Sequence, residues 1–219
     1  VIVRPSAKAV SVCQNRIAEK TFLRDHGLPH ADFAAVHGEH DLRDAGDALF
    51  PGILKVARFG YDGKGQAVVS SREQAIAAYQ QFRGEICVLE RKLDLDCEVS
   101  AVLARDDEGN VRSFPIAENS HRKGILDVSL VPARASCELH AEAAHLAARI
   151  AEGLDYVGTL AVEFFVVRSR LVINEMAPRP HNSGHYTIDA CLTSQYEQQV
   201  RTLCGLPLGD ARAHSAAAM

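Results

Sequence analysis

The spacing of apolar and polar positions switches between a helical and an alternating period along the chain, and each switch marks an element. From Gln14 to His26 (QNRIAEKTFLRDH), Ile17, Phe22 and Leu23 share one side of a predicted helix that Gly27 and Pro29 close. ADFAAV (31–36) suits a short strand, and the polar stretch 38–48 has room for one helical turn. Apolar runs at 53–57 and 67–70 flank a glycine-rich centre and predict a hairpin with a long loop. Residues 72–82 (REQAIAAYQQF) are amphipathic at helical spacing, and ICVLE (86–90) reads as a buried strand. Another strand is predicted over 98–104, with DDEGN (106–110) as its turn. VRSFPIAEN continues the sheet, where Pro115 argues for an edge or a bulge. The clearest helix covers 138–153 and ends at Gly153; strands follow at 159–167 and 171–175, and a last helix is predicted near 187–204. Strands come mostly as hairpins with helices placed irregularly between them, which favours α+β over a doubly wound parallel sheet.

Composition narrows the function classes. A chain of 219 residues that is 47% hydrophobic can bury a sizeable core. The formal charge of −4 is scattered, and without a Lys/Arg-rich tract there is no footprint for nucleic acid. No apolar run approaches the roughly 20 residues a membrane helix needs. The six cysteines are well separated and form no C-x-x-C pair, which reads as inert thiols in a reducing cytoplasm. The opening VIVRPSAKAV lacks an initiator Met and the tail ARAHSAAAM lacks a helix cap, so a fragment is expected. The oligomeric state is left open, with a homodimer among the options.

The densest chemistry lies in 171–186, LVINEMAPRPHNSGHY, where Glu175, Arg179, His181, Asn182 and His185 follow an apolar strand. With Arg168-Ser169-Arg170 as a three-residue connection, Val167 would pair with Leu171, and counting inward brings Glu163 opposite Asn174 or Glu175 depending on the register, Glu175 with the loop so drawn. Like charges directly opposite on a sheet repel, and Glu163 sits inside an apolar run where an unpaired carboxylate is costly. A cation between them removes both costs, and an all-oxygen pair suits Mg²⁺. The competing reading pairs both carboxylates with arginines such as Arg179. A one-residue slip would turn one of them to the other face.

Two further features carry weaker signals. Gly60-Tyr61-Asp62-Gly63-Lys64-Gly65-Gln66 lets backbone N–H groups approach an anion, yet it is neither a P-loop nor a dinucleotide fingerprint. It reads as a mobile hairpin loop, or as a flap over a triphosphate with Lys55 supplying a point charge. After Glu90, the linking segment Arg91-Lys92-Leu93 has backbone groups free to read an adenine edge, and Glu98 could accept from a ribose; ordinary strand-end carboxylates are the plainer reading. His121 sits in a polar loop. The H-N-S-G-H run at 181–185 lacks the helix and the acidic partner a zinc site of that spacing needs.

Taken in order, LKVARFGYDGKGQ, VLERKLDLDCEVS, HRKGILDVS, YVGTLAVEFFV and INEMAPRPHNSGHYTIDAC resemble the ATP-grasp ligase superfamily. Within it they resemble the N5-carboxyaminoimidazole ribonucleotide synthase family of purine biosynthesis. The resemblance implies an ATP-grasp fold, with two α+β subdomains (8–89 and 90–212) clasping the nucleotide between antiparallel sheets. It implies a cytoplasmic ligase that uses ATP, Mg²⁺ and bicarbonate to carboxylate 5-aminoimidazole ribonucleotide through carboxyphosphate. Arg16 and Lys55 would contact phosphates, Gly60 to Gln66 would form the flap, Glu90, Arg91, Lys92 and Leu93 would line the adenine, and Glu98 the ribose. His121 would border the nucleotide, Asn174 and Glu175 its phosphate end, and Glu163 with Glu175 would hold magnesium. Tyr61, Asp62, Arg179, His181 and Asn182 would meet the acceptor, with Asp62, Arg179 and His181 as the catalytic candidates. The family has a further Rossmann-like domain before this region and a basic segment after it, so the 219 residues alone are expected to carboxylate poorly. Rival readings are another ATP-grasp ligase and a catalytically silent nucleotide-binding module.

Overall fold

The computed structural model describes residues 3–58, 65–122 and 124–219. In chain order the elements are α1 (Ala7–Cys13), α2 (Arg16–Asp25), β1 (Phe33–Val36), α3 (Glu39–Asp44), β2 (Gly52–Val56), β3 (Gln66–Val69), α4 (Arg72–Gln81) and β4 (Cys87–Arg91). They continue as β5 (Cys97–Arg105), β6 (Val111–Ser113), β7 (Ala117–Arg122), β8 (Ile125–Val131), α5 (Cys137–Gly153), β9 (Gly158–Val167), β10 (Arg170–Ala177), α6 (Thr187–Ala190), α7 (Gln195–Leu203) and β11 (Ala217–Ala218). The chain divides into two compact units at Cys13/Gln14 and at Asp94/Leu95, so residues 8–13 of the expected 8–89 subdomain belong to the larger unit and the expected boundary at 89/90 falls inside β4.

The smaller unit comprises Gln14–Asp94 with 124–125. Its four strands are ordered β1-β4-β2-β3, all antiparallel, and the predicted hairpin is β2 and β3, with Lys55 facing Gln66. Asn15 caps α2 by accepting from the N–H groups of Ile17 and Ala18, and Ser71 caps α4 in the same manner. Val36, Leu42, Leu54, Val69, Ala75, Tyr79 and Leu89 make the core of this unit.

The larger unit carries a sheet ordered β10-β9-β5-β7-β8-β11, with β6 also on β5. Pro115 does not mark an edge. It falls in the break between β6 and β7, which pair with opposite ends of the same interior strand β5. A proline there interrupts the ladder where no N–H is required of it. One face of this sheet carries Val99, Ala101 and Leu103 of β5 with Leu160, Val162 and Phe164 of β9, all buried. Helix α5 turns Ala143, Leu146, Ala147 and Ile150 inward and packs on β5, β9 and β10.

Three elements depart from the pattern-based expectation. The last helix is two, because residues 191–194 leave the helical path before Ser194 caps α7. α1 precedes α2 without having been signalled. The alanine-rich tail, for which no element was expected, pairs with the sheet: Cys191 bridges Ala213, and β11 pairs with β8.

Candidate functional site

In the smaller unit the sequence buries three charges together. Val88 stands opposite Lys55, so Glu90 lies on the same face one diagonal step away. Lys55 Nζ is 3.2 Å and Lys20 Nζ 3.4 Å from Glu90 Oε2, with Glu90 only 3% and Lys20 0% exposed. Burial pulls the Lys55 ammonium below its usual range, and Glu90 opposes that shift. Burial alone would raise Glu90, but Lys55, Lys20 and Arg16 outweigh it and hold the carboxyl below its ordinary value. Arg16, the first residue of α2, therefore belongs to the same field. The result is an excess of buried positive charge around one carboxylate, which suits an anion approaching Lys55.

The adenine-edge expectation needs correcting at two points. The Glu90 side chain is committed to the two lysines. The N–H groups of Arg91 and Lys92 are not free either: they donate to Asp32 O and Pro51 O, both at 2.9 Å. Arg91 and Lys92 are exposed, and Leu93 is half-buried. Gly65 directly precedes β3, which Gln66 opens, and a Cβ on Gly65, whose φ is +71°, would lie 2.5 Å from Val56. Gly60, Tyr61, Asp62, Gly63 and Lys64 lie outside the described residues.

In the larger unit the register creates an acidic row. The β9–β10 turn is shorter than expected: Val167 pairs with Arg170 across Arg168-Ser169, both at positive φ (49° and 61°). That register alone would bring Asn174 opposite Glu163. A bulge between Ile173 and Glu175 shifts it by one, so Glu163 faces Glu175 after all. Ser100 of β5 is paired with Glu163 on the other side, and Glu98 with Asn119 of β7. Alternation therefore puts Glu98, Ser100, Asn119, Glu163 and Glu175 on one face. Ser129 Oγ donates to Asn119 Oδ1 (2.7 Å), and Asn119 Nδ2 donates to Ser100 Oγ (3.0 Å). This polar strip runs across the sheet up to Glu163.

The electrostatics of the row disfavour two negative charges. Burial first, and then Glu175 opposite, push Glu163 up to about 7, while His121 and a hydrogen bond from Asn174 act the other way. His121 is not in a loop but on β7; its Nδ1 is 3.0 Å from Glu98 Oε2, and that carboxylate raises the imidazole above its usual value. His181 Nε2 is 3.5 Å from Glu163 Oε1. Burial drives His181 down to about 4, with Arg179 adding to the effect. The contact thus joins a neutral imidazole to a carboxyl that is half protonated near neutrality, and it is not a charged ion pair. His181 Nδ1 faces Ser183 Oγ (3.0 Å) and the Ser183 N–H, so the ring proton sits on Nε2, toward Glu163. Arg179 is exposed and donates to Pro180 O, so it does not neutralise Glu163 as the competing reading required. Asn182 is exposed at the start of a 3-10 turn, Asn182–Gly184.

A family model described as the ATP-grasp domain matches residues 21–196. The chain belongs to the ATP-grasp family. It is 45% identical over 219 residues to the N5-carboxyaminoimidazole ribonucleotide synthase of Brucella melitensis, covering 98% of this chain and 60% of that protein. The enzyme of the same name from Bacillus subtilis is 43% identical over 200 residues, 90% of this chain and 53% of that one. A solved ADP complex of N5-carboxyaminoimidazole ribonucleotide synthetase superposes with a TM-score of 0.91 at 41% identity, covering 96% of this chain and 56% of that one. The ATP-grasp chain thus spans little more than half the length of these relatives.

For an ATP-grasp domain, the row fits magnesium by its donor chemistry. Two facing carboxylates, one of them resisting ionisation, gain most from a divalent cation that keeps waters and takes phosphate oxygens as further ligands. Among the described residues no three His, Cys, Asp or Glu side chains are grouped to hold a metal ion. Pattern reading missed Lys20, Ser100, Asn119 and Ser129. Lys20 carried a signal, being a charge beside Glu19 on the inward side of α2; the three small polar residues become informative only once strand neighbours are known.

Proposed function

We propose that this ATP-grasp domain serves the ATP- and bicarbonate-dependent carboxylation of 5-aminoimidazole ribonucleotide to its N5-carboxylated form in cytoplasmic purine biosynthesis. The observation that carries the reading is the Glu163–Glu175 pair on adjacent strands, with Glu163 driven toward its neutral form. Glu163 and Glu175 would hold Mg²⁺, which when bound supplies positive charge for the phosphoryl group being transferred. Lys55, with Arg16 in the same field, binds phosphate oxygens, because Lys20 and Glu90 beneath it fix its ammonium in place. Glu98 accepts from the ribose, and His121 beside it borders the nucleotide. Bicarbonate attacks the γ-phosphoryl group to give carboxyphosphate and ADP. Carboxyphosphate then delivers its CO₂ unit to the exocyclic amine as phosphate leaves.

The ring geometry narrows the part His181 plays. Its two nitrogens face Ser183 and Glu163, which favours a part in orienting that carboxyl over collection of the amine proton. Asp62, the other candidate for that proton, lies outside the described residues. Arg179 and Asn182, both exposed on the loop after β10, are available to the acceptor ribonucleotide. The names of the relatives support this substrate. Calorimetric titration with Mg-ATP, with and without aminoimidazole ribonucleotide, tests the reading. Magnesium-dependent heat that grows with the ribonucleotide supports it, and no nucleotide binding at all refutes it.

A further inference from the structure

Gln195 begins α7, is 0% exposed, and touches no expected ligand group. Its carboxamide nevertheless pairs with both backbone groups of one residue: the His181 N–H donates to Gln195 Oε1 (2.9 Å), and Gln195 Nε2 donates to the His181 carbonyl (2.8 Å). A primary amide can do this because it presents the same donor–acceptor pair as a neighbouring strand. Gln195 is itself held from two sides. Its N–H donates to Thr187 Oγ1 (3.0 Å), whose hydroxyl donates to the Gly184 carbonyl (2.6 Å). Its carbonyl accepts from Thr159 Oγ1 (3.0 Å) on β9. The contacts close a circuit: β9 holds Gln195, Gln195 holds His181, and the imidazole returns to Glu163 on β9. Gly184 is required by the same packing, since a Cβ there would lie 2.5 Å from Gln195 Oε1.

We infer that Gln195 is a positioning residue, clamping the His181 main chain so that its imidazole stays directed at the Glu163 carboxyl. The inference rests on the proposed role of Glu163, but its first test does not. α7 supplies a control in Gln198, which clamps the Gly209 backbone in the same two-bond manner (2.8 and 3.0 Å) away from His181. Gln195→Met and Gln198→Met each keep side-chain length and leave two backbone groups unpaired, so both are expected to lower the melting temperature.

The deciding readout is the ¹⁵N-resolved imidazole spectrum of the 219-residue chain. His181 is expected to show one tautomer in the wild type and in Gln198→Met, and averaged ring-nitrogen shifts in Gln195→Met. Gln195→Glu, which keeps an acceptor for the His181 N–H, is expected to restore part of the single-tautomer signal. A folded Gln195→Met chain with the wild-type His181 signal overturns the inference, as does equal disturbance by Gln198→Met. Under the proposed reaction, Gln195→Met also lowers bicarbonate-dependent ADP release by about tenfold or more with the Mg-ATP KM little changed. Turnover by the 219 residues alone is expected to be poor, so the imidazole spectra decide whether Gln195 holds His181, and failure of the wild-type chain to bind Mg-ATP would count against the proposed reaction alone.

Discussion

Glu163 faces Glu175 across β9 and β10 because Asn174 is inserted as a bulge between Ile173 and Glu175. The pair is a deliberate cost. Burial, and then Glu175 opposite, make Glu163 harder to ionise. A site built this way has opposite requirements with and without a cation, so one substitution separates them. Glu175→Gln removes the repulsion and is expected to leave the metal-free protein as stable as the parent or more so, by up to about 1 kcal/mol. The same change is expected to weaken magnesium-dependent ATP binding by about tenfold or more. Thermal melting in chelator and calorimetry with Mg-ATP read the two effects; unchanged Mg-ATP affinity would remove the metal role.

Glu90 is the hinge of the charge cluster in the smaller unit. Two ammonium groups share its Oε2, so Glu90→Gln takes one counter-charge from two buried cations at once. Breaking a buried pair from that side costs about 3 kcal/mol or more. Lys55→Met leaves Lys20 to pair with Glu90 and should be milder on stability while lowering nucleotide affinity. Urea unfolding of both variants checks the order. A Glu90→Gln protein as stable as Lys55→Met would show that the carboxylate does not carry the cluster.

The elements with strong periodicity were legible in the sequence: α2, α4 and α5 by helical spacing, and β2, β4, β5 and β9 as apolar runs. The acidic pair was legible for a partly mistaken reason. Counting from a three-residue turn gave the right facing partner, because the shorter turn and the bulge displace the register in opposite directions. Nothing local signals a bulge at Asn174, whose role depends on Glu163 across the ladder. The split of the last helix was hidden for a similar reason: the residues between α6 and α7 look helical until the buried Thr193 (6% exposed) and the Ser194 cap are seen in place. His121 reads as a loop residue in the sequence because its partner Glu98 is far away along the chain and adjacent only through the β5–β7 ladder.

Cys87 gives a pH dependence with a definite sign. It is fully buried in β4, and burial pushes its thiol from 9.0 up to about 11, with Glu85 adding to the effect. Above pH 9 the unfolded chain loses this proton first, so it binds fewer protons than the folded state and stability falls as pH rises. The loss develops between the unfolded and folded values and amounts to about 1.4 kcal/mol per pH unit at most. Cys87→Ser should be less stable at pH 8 yet lose less between pH 8 and 10 than the parent does. Chemical unfolding at the two pH values measures both slopes, and parallel slopes would exclude the thiol as the source.

The β9–β10 turn is strained in a way that can be relieved without touching the site. Arg168 and Ser169 both occupy positive φ, the conformation a two-residue hairpin turn demands and one that side chains with a Cβ resist. Asn at the first position and Gly at the second adopt it most readily. The Ser169 N–H donates to Asp96 Oδ2 (3.1 Å), a backbone bond that survives the change of side chain. Arg168→Asn combined with Ser169→Gly is therefore expected to stabilise the larger unit by about 0.5–1 kcal/mol, with glycine's greater freedom in the unfolded chain offsetting part of the gain. The melting temperature should rise while Mg-ATP affinity stays unchanged, because the turn lies beyond the end of β9, away from Glu163 in its interior. A lower melting temperature would mean that Arg168 or Ser169 makes a contribution greater than the strain it carries.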